Sequence, residues 1–558
     1  MSNSMLALNS AEKTRNIVEL QKVAGSSLDV NVTEAGDTTL GGKLAHFDEA
    51  LEILASTQGV RYVTEDENAR ILKKIDWHIM PVIVVIYFLQ LLDKQTLAFS
   101  SVFGLSIDTG LVGDQYSLLG SMVYVAQLVL QPFSAYFLVK IRLSIYVPII
   151  VTCWGATLAI MASAKNFKGL LLARFFLGVF EASITPAVVL IVQMWYRRRE
   201  QGYRMAAWCS SYGLVNVFGS LVMFGLGHIG SNVLYPYQVV FLLLGSVTFL
   251  VGLLSFILFP DNPVKSNFLS PEEKLVAVER LRANQQGVET KVFKIYQVLE
   301  MISDPKSWCW MILSILIAIP AAGMIIFGPL ILRGFGFNRF NVMLVNIPFG
   351  VLQIIWVFAA VWASKRFNVK SIIILIGLIP SIVGTVLLLQ TGRQPEDQPT
   401  LLVAFYLLSF TTAIGPVLYS WQASNVAGHT KKTTTVTFMT AGGLIGDIIG
   451  PLLFAPKDRP YYRGGLTAML ICTIVAVCFV FVVIVCLHHS NKRNERRRVA
   501  AGKEAKIQDY SMFTVREVQV ARAKEIAEKG GVSNIQNIGT HAFDDLTDLQ
   551  NDEFIYVY

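Results

Sequence analysis

The sequence is short of charged residues for its length. Only 15% of its 558 residues are Asp, Glu, Lys or Arg, whereas a soluble protein carries about a quarter. Hydrophobic residues make up 53% of the chain and recur in long runs. This composition argues against a soluble globular protein and indicates a chain that crosses a membrane many times.

Cysteine is also scarce, and the common catalytic motifs are missing. The cysteines lie in or beside apolar runs without metal-ligand spacing, so we expect packing residues and no disulfide framework. They are Cys153, Cys209, Cys309, Cys472, Cys478 and Cys486. A GxGxxG match at 225–230 ends an apolar run and lacks the strand and helix of a nucleotide-binding unit. The sequence therefore predicts no enzyme, no metal and no cofactor.

The start of the chain lacks the apolar core of a signal peptide. Residues 1–63 mix Ser, Thr, Gly, Asp and Glu with few aromatic residues, which predicts a disordered cytosolic tail. Insertion into the membrane is therefore expected to begin with the first apolar run.

Twelve apolar runs are each long enough to cross a bilayer as a helix. They lie at about 78–98, 116–138, 145–164, 167–192, 206–229, 238–259, 308–332, 342–363, 371–391, 401–423, 434–455 and 464–488. A long loop, 260–307, separates six spans in residues 64–259 from six in residues 308–488, and a tail, 489–558, follows. Two halves of six spans suggest an internal repeat around a central site.

Capping-box patterns predict short helices outside the spans. They occur at 64–67, ahead of the first span, at 270–273 in the loop, and at 514–517 in the tail. The last residues of the chain are rich in Asp and Glu. We interpret them as a tail with regulatory or trafficking duties, or as one that is merely solvated.

Lys and Arg are more frequent on one side of the membrane than on the other, where the loops 99–115 and 230–237 contain neither. The richer side holds Lys140, Arg142, Arg197, Arg198, Arg199, Arg204, Lys365, Arg366, Lys370, Lys431 and Lys432, and a cluster at 492–498. This bias predicts that both ends are cytosolic. We expect a multi-pass protein of the plasma membrane. The net charge of +8 then faces anionic lipid and requires no nucleic-acid partner.

Charged residues stand inside two of the spans. Arg174 and Glu181 lie in the fourth span, seven residues and about 10 Å apart, on one helix face. Asp93 and Lys94 lie near the end of the first span. A charge near a bilayer centre costs roughly 2.5–3.5 kcal/mol on insertion scales, so such residues normally face protein or a water-filled path. We interpret these four residues as a site for a charged solute; the alternative is an ion pair that only fixes helix packing.

The eleventh span contains an acid and a row of glycines. Asp447 is either a second protonatable group, a substrate contact, or a carboxyl held neutral by a polar neighbour. The spacing of Gly442, Gly446 and Gly450 predicts a close approach of two helices. Polar and aromatic residues of other spans are candidates for lining the solute path. They are Tyr87, Gln90, Tyr124, Gln127, Tyr212, Asn216, Asn346, Gln353, Trp421 and Asn425.

Several stretches between about residues 70 and 490 match a known family. They are Leu91-Leu-Asp-Lys-Gln-Thr-Leu97, Ala173-Arg-Phe-Phe-Leu-Gly-Val-Phe-Glu-Ala182, Met194-Trp-Tyr-Arg-Arg-Arg-Glu200, Phe259-Pro-Asp-Asn-Pro263, Phe268-Leu-Ser-Pro-Glu-Glu-Lys274 and Asn425-Val-Ala-Gly-His-Thr-Lys-Lys432. With them the chain resembles the major facilitator superfamily, within it the anion:cation symporter family, and most of all the fungal allantoate permease group.

This resemblance implies twelve helices in two six-helix bundles around a central cavity, and alternating access coupled to protons. It also implies that Lys94 and Arg174 serve an anionic substrate and that Asp93 and Glu181 take part in proton coupling. Three features depart from the family pattern. The segment 134–142 lacks the glycine and aspartate of the superfamily's loop signature, and the matching loop of the second half has Ser-Lys-Arg at 364–366 where an acid is common. Asp447 stands where relatives often have asparagine.

The sequence therefore predicts a proton-coupled symporter, working as a monomer, of a small organic anion. Candidate solutes are carboxylates such as allantoate, ureidosuccinate, nicotinate or another vitamin or nutrient acid. In this hypothesis Lys94 and Arg174 attract the anion, and Glu181 or Asp93 carries the proton. Two alternatives stay open: a membrane nutrient sensor that does not transport, and a facilitator or exporter of the same solutes.

Overall fold

The computed structural model describes residues 65–558 except 197, 227–233, 260–265, 267, 283–293, 368, 456–457, 501, 503–504, 506–545 and 553. The described residues belong to one compact unit that begins at Val60. The predicted tail 1–63 and the helix predicted after 514–517 lie outside the described residues.

Within those ranges the chain is helical and contains no strand. The first half holds Glu65–Val102, Leu105–Asp108, Gln115–Lys140, Leu143–Met161, Phe167–Glu181, Ile184–Trp195, Arg198–Cys209, Ser211–Leu214, Val215–Gly219, Ser220–Leu226 and Pro236–Leu258. The loop contributes Pro271–Arg282 and Ile295–Ser303. The second half holds Pro305–Gly334, Arg339–Phe367, Lys370–Gln390, Pro395–Asp397, Gln398–Leu407, Leu408–Ala413, Ile414–Ser424, His429–Leu452 and Arg463–Ala500.

Twelve segments are long and apolar enough to cross a membrane, which confirms the predicted number and the all-α polytopic fold. Spans 1 to 12 are Asp66–Val102, Gln115–Ser134, Leu143–Met161, Phe167–Val192, Tyr203–Leu226, Pro236–Leu258, Pro305–Gly334, Arg339–Ser364, Lys370–Gln390, Pro395–Ser424, Thr430–Leu452 and Arg463–Ala500. The start of span 1, the loop after span 6 and the end of span 12 are separated by even numbers of spans. They therefore lie on the same side of the membrane, which we call the loop side.

Two span boundaries differ from the prediction. The short helix expected ahead of the first span is continuous with it, in one 38-residue helix, Glu65–Val102. The last helix continues to Ala500 instead of ending near 488. Backbone hydrogen bonding continues beyond the lipid as readily as within it, whereas hydropathy marks only the apolar part of each helix.

Three spans are interrupted, and the sequence analysis predicted none of these breaks. Span 4 breaks between Glu181 and Ile184, span 5 contains the π-helical turn Val215–Gly219, and span 10 contains the 3₁₀ stretch Leu408–Ala413. Such turns release backbone groups from the regular helical ladder and are frequent at functional sites. Two candidate site residues, Glu181 and Asn216, stand at these breaks.

The glycine row of span 11 packs closely against span 7, as predicted. A Cβ atom added to Gly446 would lie 2.7 Å from the backbone oxygen of Ile315, and one added to Gly450 would lie 2.6 Å from that of Ile319. No side chain fits at such distances, so glycine is what allows the two helices to approach.

Gly446→Leu is therefore expected to destabilise the purified protein. The added side chain must push span 11 away from span 7, and overpacking of this kind costs about 1–3 kcal/mol. Thermal unfolding in detergent should show a lowered Tm. Gly415→Leu is the matched control, since a Cβ there meets no atom within 4 Å. An equal Tm for both variants would contradict the close packing.

Each end of the long loop is anchored to its own half. Glu273 accepts a 2.6 Å ion-pair contact from Lys74 at the start of span 1. The predicted capping box at Ser270 is confirmed, because its backbone N–H donates to Glu273 at 2.9 Å and its Oγ accepts from the Glu273 N–H at 3.3 Å. At the other end, Gln297 accepts from the backbone N–H of Lys431 in span 11 at 3.0 Å. The helix Ile295–Ser303, which carries Gln297, was not predicted.

The last residues of the chain are not solvated. Asp548 is completely buried and Tyr556 is 2% exposed. The backbone of Val557 bonds to Asn425, at the loop-side end of span 10. The segment 546–558, apart from residue 553, therefore packs on the loop side of the second half, and the interpretation of a merely solvated end is wrong for it.

Candidate functional site

Spans 1 and 4 bring three of the predicted charged residues to one buried place. Asp93, Arg174 and Glu181 are each 1–2% exposed. Arg174 and Lys94 both act electrostatically on Asp93, and Glu181 is its carboxyl neighbour. One oxygen of Asp93 accepts from the indole N–H of Trp154 in span 3 at 2.7 Å. Asp93, Arg174 and Glu181 thus form one buried cluster.

Glu181 is held by two amides that were also predicted. Its Oε2 accepts from Gln127 Nε2 at 3.0 Å and lies 3.5 Å from Gln90 Nε2. Because the helix ends at Glu181, its backbone oxygen is released from the ladder, and Gln90 Nε2 lies 3.4 Å from it as well. The break in span 4 therefore frees the backbone oxygen of Glu181, so that Gln90 of span 1 lies close to this oxygen as well as to the carboxylate.

Several polar atoms of this cluster have no hydrogen-bond partner among the described residues. They are Nε and Nη2 of Arg174, Oδ1 of Asp93, Oε1 of Glu181 and Oε1 of Gln90. A buried charged group left unpaired costs several kcal/mol, so such groups normally have a partner. No described ion pair within 4 Å joins Arg174 to Asp93 or Glu181. A direct contact of Arg174 with either acid is therefore not seen among the described residues, and two of its donor nitrogens are left without a hydrogen-bond partner.

Lys94 and Asp447 lie outside this buried cluster, Lys94 in span 1 of the first half and Asp447 in span 11 of the second. Both are partly exposed, unlike the three charges of the buried cluster. The ammonium of Lys94 lies 5.1 Å from the ring centroid of Tyr124, within cation–π range. Lys94 acts electrostatically on Asp447. In span 2, Ser121 donates to the backbone oxygen of Ile448 at 2.8 Å, which holds this turn of span 11 against the first half.

The predicted aromatic residues Tyr87 and Tyr212 also meet. Their ring centroids are 6.3 Å apart, and Trp208 packs edge-on against Tyr87 at 4.4 Å. Asp447 acts electrostatically on Tyr212 and on Tyr419, a residue that the sequence analysis missed. The sequence offered a signal for Tyr419, since it lies two residues before the predicted Trp421.

Asn216 belongs to a polar network that joins the halves. Its Oδ1 accepts from Gln95 at 3.1 Å and from Asn346 at 2.9 Å, and its amide nitrogen donates to Gln353 at 2.7 Å. Gln353 and Asn346 lie in span 8. Both the oxygen and the nitrogen of the Asn216 side chain thus have protein partners, whereas two nitrogens of Arg174 have none among the described residues.

Trp421 and Asn425 are likewise engaged by protein. Both donate to the backbone oxygen of Val557 at 2.9 Å, and Asn425 Oδ1 accepts from the Val557 N–H at 2.8 Å. The end of the chain therefore occupies the polar atoms that were predicted to line the solute path.

Comparison with known proteins points to one family. The family model of the Major Facilitator Superfamily matches residues 83–451. An uncharacterised transporter of Schizosaccharomyces pombe is 34% identical over 434 residues, which cover 78% of this chain and 82% of the relative. The thiamine pathway transporter THI73 of Saccharomyces cerevisiae is 27% identical, and the alignment covers 97% of this chain and 94% of that transporter. The allantoate permease of the same yeast is 24% identical, with 100% and 98% covered.

Solved structures agree on the fold. A bacterial homologue of the human lysosomal transporter Spinster, in an inward-facing and unoccupied conformation, aligns with a TM-score of 0.57 at 15% identity. The alignment covers 76% of this chain and 98% of that one. A D-xylose–proton symporter gives 0.57 at 11% identity, with 72% and 97% covered.

Proposed function

Because the chain belongs to the Major Facilitator Superfamily and is a multi-pass membrane transporter, we propose that it is a proton-coupled symporter of a small organic anion. The observation that carries this proposal is the buried guanidinium of Arg174, whose Nε and Nη2 have no described partner. Guanidinium binds a carboxylate through two parallel hydrogen bonds, and the attraction is strong in a medium of low dielectric. Lys94 supplies a second cation that is more accessible.

The acidic pair supports the proton half of the proposal. Asp93 and Glu181 are buried neighbours. Two adjacent carboxylates repel each other, which disfavours the state in which both are charged. One of them therefore carries a proton while the other stays ionised near Arg174. Arrival of an anion at Arg174 weakens the stabilisation of that ionised acid, which couples binding of the anion to binding of a proton. Asp447 is a further protonatable group in the second half.

The allantoate permease among the relatives supports a carboxylate as the solute. We propose allantoate, ureidosuccinate, nicotinate and other vitamin or nutrient acids as the candidates. A thermal-shift screen of the purified protein against these acids, pantothenate and biotin tests the solute class. The proposal predicts a raised Tm with at least one of them, smaller in Arg174→Lys. If no acid raises the Tm of the wild-type protein, the anion assignment fails.

We further propose that the protein works as a monomer in the plasma membrane with its loop side in the cytosol. Glu272 is exposed on the loop side, and Asp114 is exposed at the start of span 2, on the other side. In intact cells, Asp114→Cys should react with an impermeant maleimide, and Glu272→Cys should react only after permeabilisation. Labelling of Glu272→Cys from outside would reverse the orientation.

A further inference from the structure

Three tyrosines near Asp447, together with a fourth whose ring packs against one of them, are called the tyrosine group. Tyr87, Tyr124 and Tyr212 come from spans 1, 2 and 5, and Tyr419 comes from span 10. The hydroxyl of Tyr419 lies 3.3 Å from Thr440 Oγ1, two turns before Asp447 on the same face of span 11. Asp447 acts electrostatically on three of them, Tyr124, Tyr212 and Tyr419.

The carboxylate of Asp447 is available to a ligand. It is partly exposed within a span, and no hydrogen bond or ion pair among the described residues engages it. The hydrogen bond from Ser121 to Ile448 holds the adjacent residue against span 2, and Tyr124 lies one turn further along that span. The backbone beside Asp447 therefore lies against the first half. A carboxylate among aromatic faces is a favourable place for a cation or for several N–H donors.

We propose that the solute is dipolar, with a carboxylate at one end and a cationic or N–H-rich group at the other. Lys94 and Arg174 take the carboxylate, while Asp447 and Tyr419, together with Tyr212, take the other end. This assignment rests on the proposed function. Because Asp447 and Tyr419 belong to the second half and Lys94 and Arg174 to the first, the bound solute contacts both halves. Aromatic faces attract a cation through the ring quadrupole, and the charge of Asp447 adds to this attraction.

Two sets of matched acids test the proposal. Succinate, aspartate and ureidosuccinate share a four-carbon skeleton with no nitrogen, an ammonium or a neutral ureido group. Propionate, β-alanine and 3-ureidopropionate repeat the series on three carbons. Purified full-length protein is titrated with each acid in a thermal-shift assay, alongside Asp447→Asn and Asp447→Leu.

We expect a nitrogen-bearing acid of at least one set to bind at least tenfold more tightly than its nitrogen-free parent. Asp447→Asn should remove the advantage of the ammonium acid, and Asp447→Leu should remove that of the ureido acid as well. Equal binding within both sets, or an advantage that survives in Asp447→Leu, overturns the dipolar assignment but not the proposed function. If Asp447→Asn binds every acid more tightly by the same factor, Asp447 only repels anions. This result would also overturn the dipolar assignment. Failure of every acid to bind would instead contradict the proposed function.

A second, independent observation concerns the end of the chain. Asp548 lies 2.5 Å from Lys306 Nζ in span 7 and 2.9 Å from Lys431 Nζ in span 11. Burial raises the pKa of the Asp548 carboxyl, but the two lysines outweigh burial and hold that pKa below its usual value. The hydroxyl of Tyr556 donates to Asp548 at 3.0 Å, and its ring lies 4.1 Å from the ammonium of Lys306. Lys306 and Lys431 thus form a binding site that is occupied by Asp548 and Tyr556 from the end of the chain.

The same segment holds the loop-side arm of span 10. That arm, Ile414–Ser424, is separated from the rest of the span by the 3₁₀ stretch Leu408–Ala413 and contacts the helix Arg198–Cys209 of the first half. Val557 bonds to Trp421 in the arm and to Asn425 directly after it. The last turn of a helix leaves carbonyls without intrahelical partners, so such external bonds fix its position.

We infer that residues 546–558 form a latch that restrains the arm of span 10 and slows its movement against the first half. Asp548→Asn weakens the latch at its buried ion pairs while keeping the shape of the side chain. Asp552→Asn is the matched control, because it removes the same charge at a carboxyl that none of these ion pairs uses. Tyr556→Phe is a milder second variant, since it removes only the hydroxyl.

Hydrogen–deuterium exchange of the full-length protein should show faster exchange at 414–424 in Asp548→Asn and Tyr556→Phe than in Asp552→Asn. Uptake should rise at least twofold in its maximal rate, with the apparent affinity for the solute unchanged. Unchanged exchange in the arm, or faster exchange accompanied by slower uptake, would overturn the latch. If Asp548→Asn does not fold, Tyr556→Phe alone decides by the same two readouts.

Discussion

Arg174→Ala is expected to abolish uptake in protein that reaches its membrane normally. Arg174 is 2% exposed, and two of its nitrogens have no hydrogen-bond partner among the described residues. We propose that the carboxylate of the solute binds to these nitrogens. Truncating one partner of a buried, hydrogen-bonded charge pair costs about 2–5 kcal/mol, which corresponds to a loss of roughly 30-fold or more. Arg174→Lys keeps the charge but loses the planar fork of donors, so we expect about a tenfold loss. Uptake of labelled acid, normalised to surface protein, measures both.

A matched control separates transport from folding. Lys168→Ala removes a cation from the same helix at an exposed position and should transport normally. A purely structural role for Arg174 predicts the reverse pattern, in which Arg174→Ala is retained or misfolded and Arg174→Lys is nearly intact. Normal transport by a correctly localised Arg174→Ala protein would contradict both interpretations.

Glu181→Gln is expected to abolish proton-driven accumulation while leaving exchange of solute across the membrane. The amide keeps the shape of the side chain and can still accept from Gln127, but it cannot bind or release a proton. Uptake against a concentration gradient should therefore fall to background, and counterflow of labelled against unlabelled acid should stay measurable.

Glu396→Gln is the control for this substitution, because the same change is made at an exposed residue in the first turn of span 10. It should leave both activities unchanged. If Glu181→Gln still accumulates solute when the outside is acidified, Glu181 does not carry the coupling proton. Asp93→Asn then becomes the variant to measure, since Asp93 is the other acid of the pair.

The twelve spans could be predicted from the sequence, because a helix that crosses a bilayer must be long and apolar and must form all its backbone hydrogen bonds internally. That Asp93, Arg174 and Glu181 face protein could also be predicted, because charged residues inside spans avoid lipid. Helical spacing also predicted the contact of the glycine row of span 11 with another helix, because a row of glycines has few other uses in a membrane.

Other features could not be predicted because they depend on partners distant in the chain. The indole that binds Asp93 comes from span 3, and no local pattern marks Trp154. Asp548 reads locally as part of an acidic, solvated end, yet its partner Lys306 stands 242 residues earlier. The breaks in spans 4, 5 and 10 interrupt runs whose hydropathy is continuous.

The measurement that tests the central claim most directly uses the purified protein in liposomes. A labelled acid from the screen is added outside, the outside is made more acidic than the lumen, and uptake is followed with and without an agent that collapses the proton gradient. A proton-coupled anion symporter accumulates the acid above its outside concentration, and collapsing the gradient releases it. Equilibration without accumulation, independent of the gradient, would indicate a facilitator, and binding without any flux would indicate a sensor; either result contradicts the account.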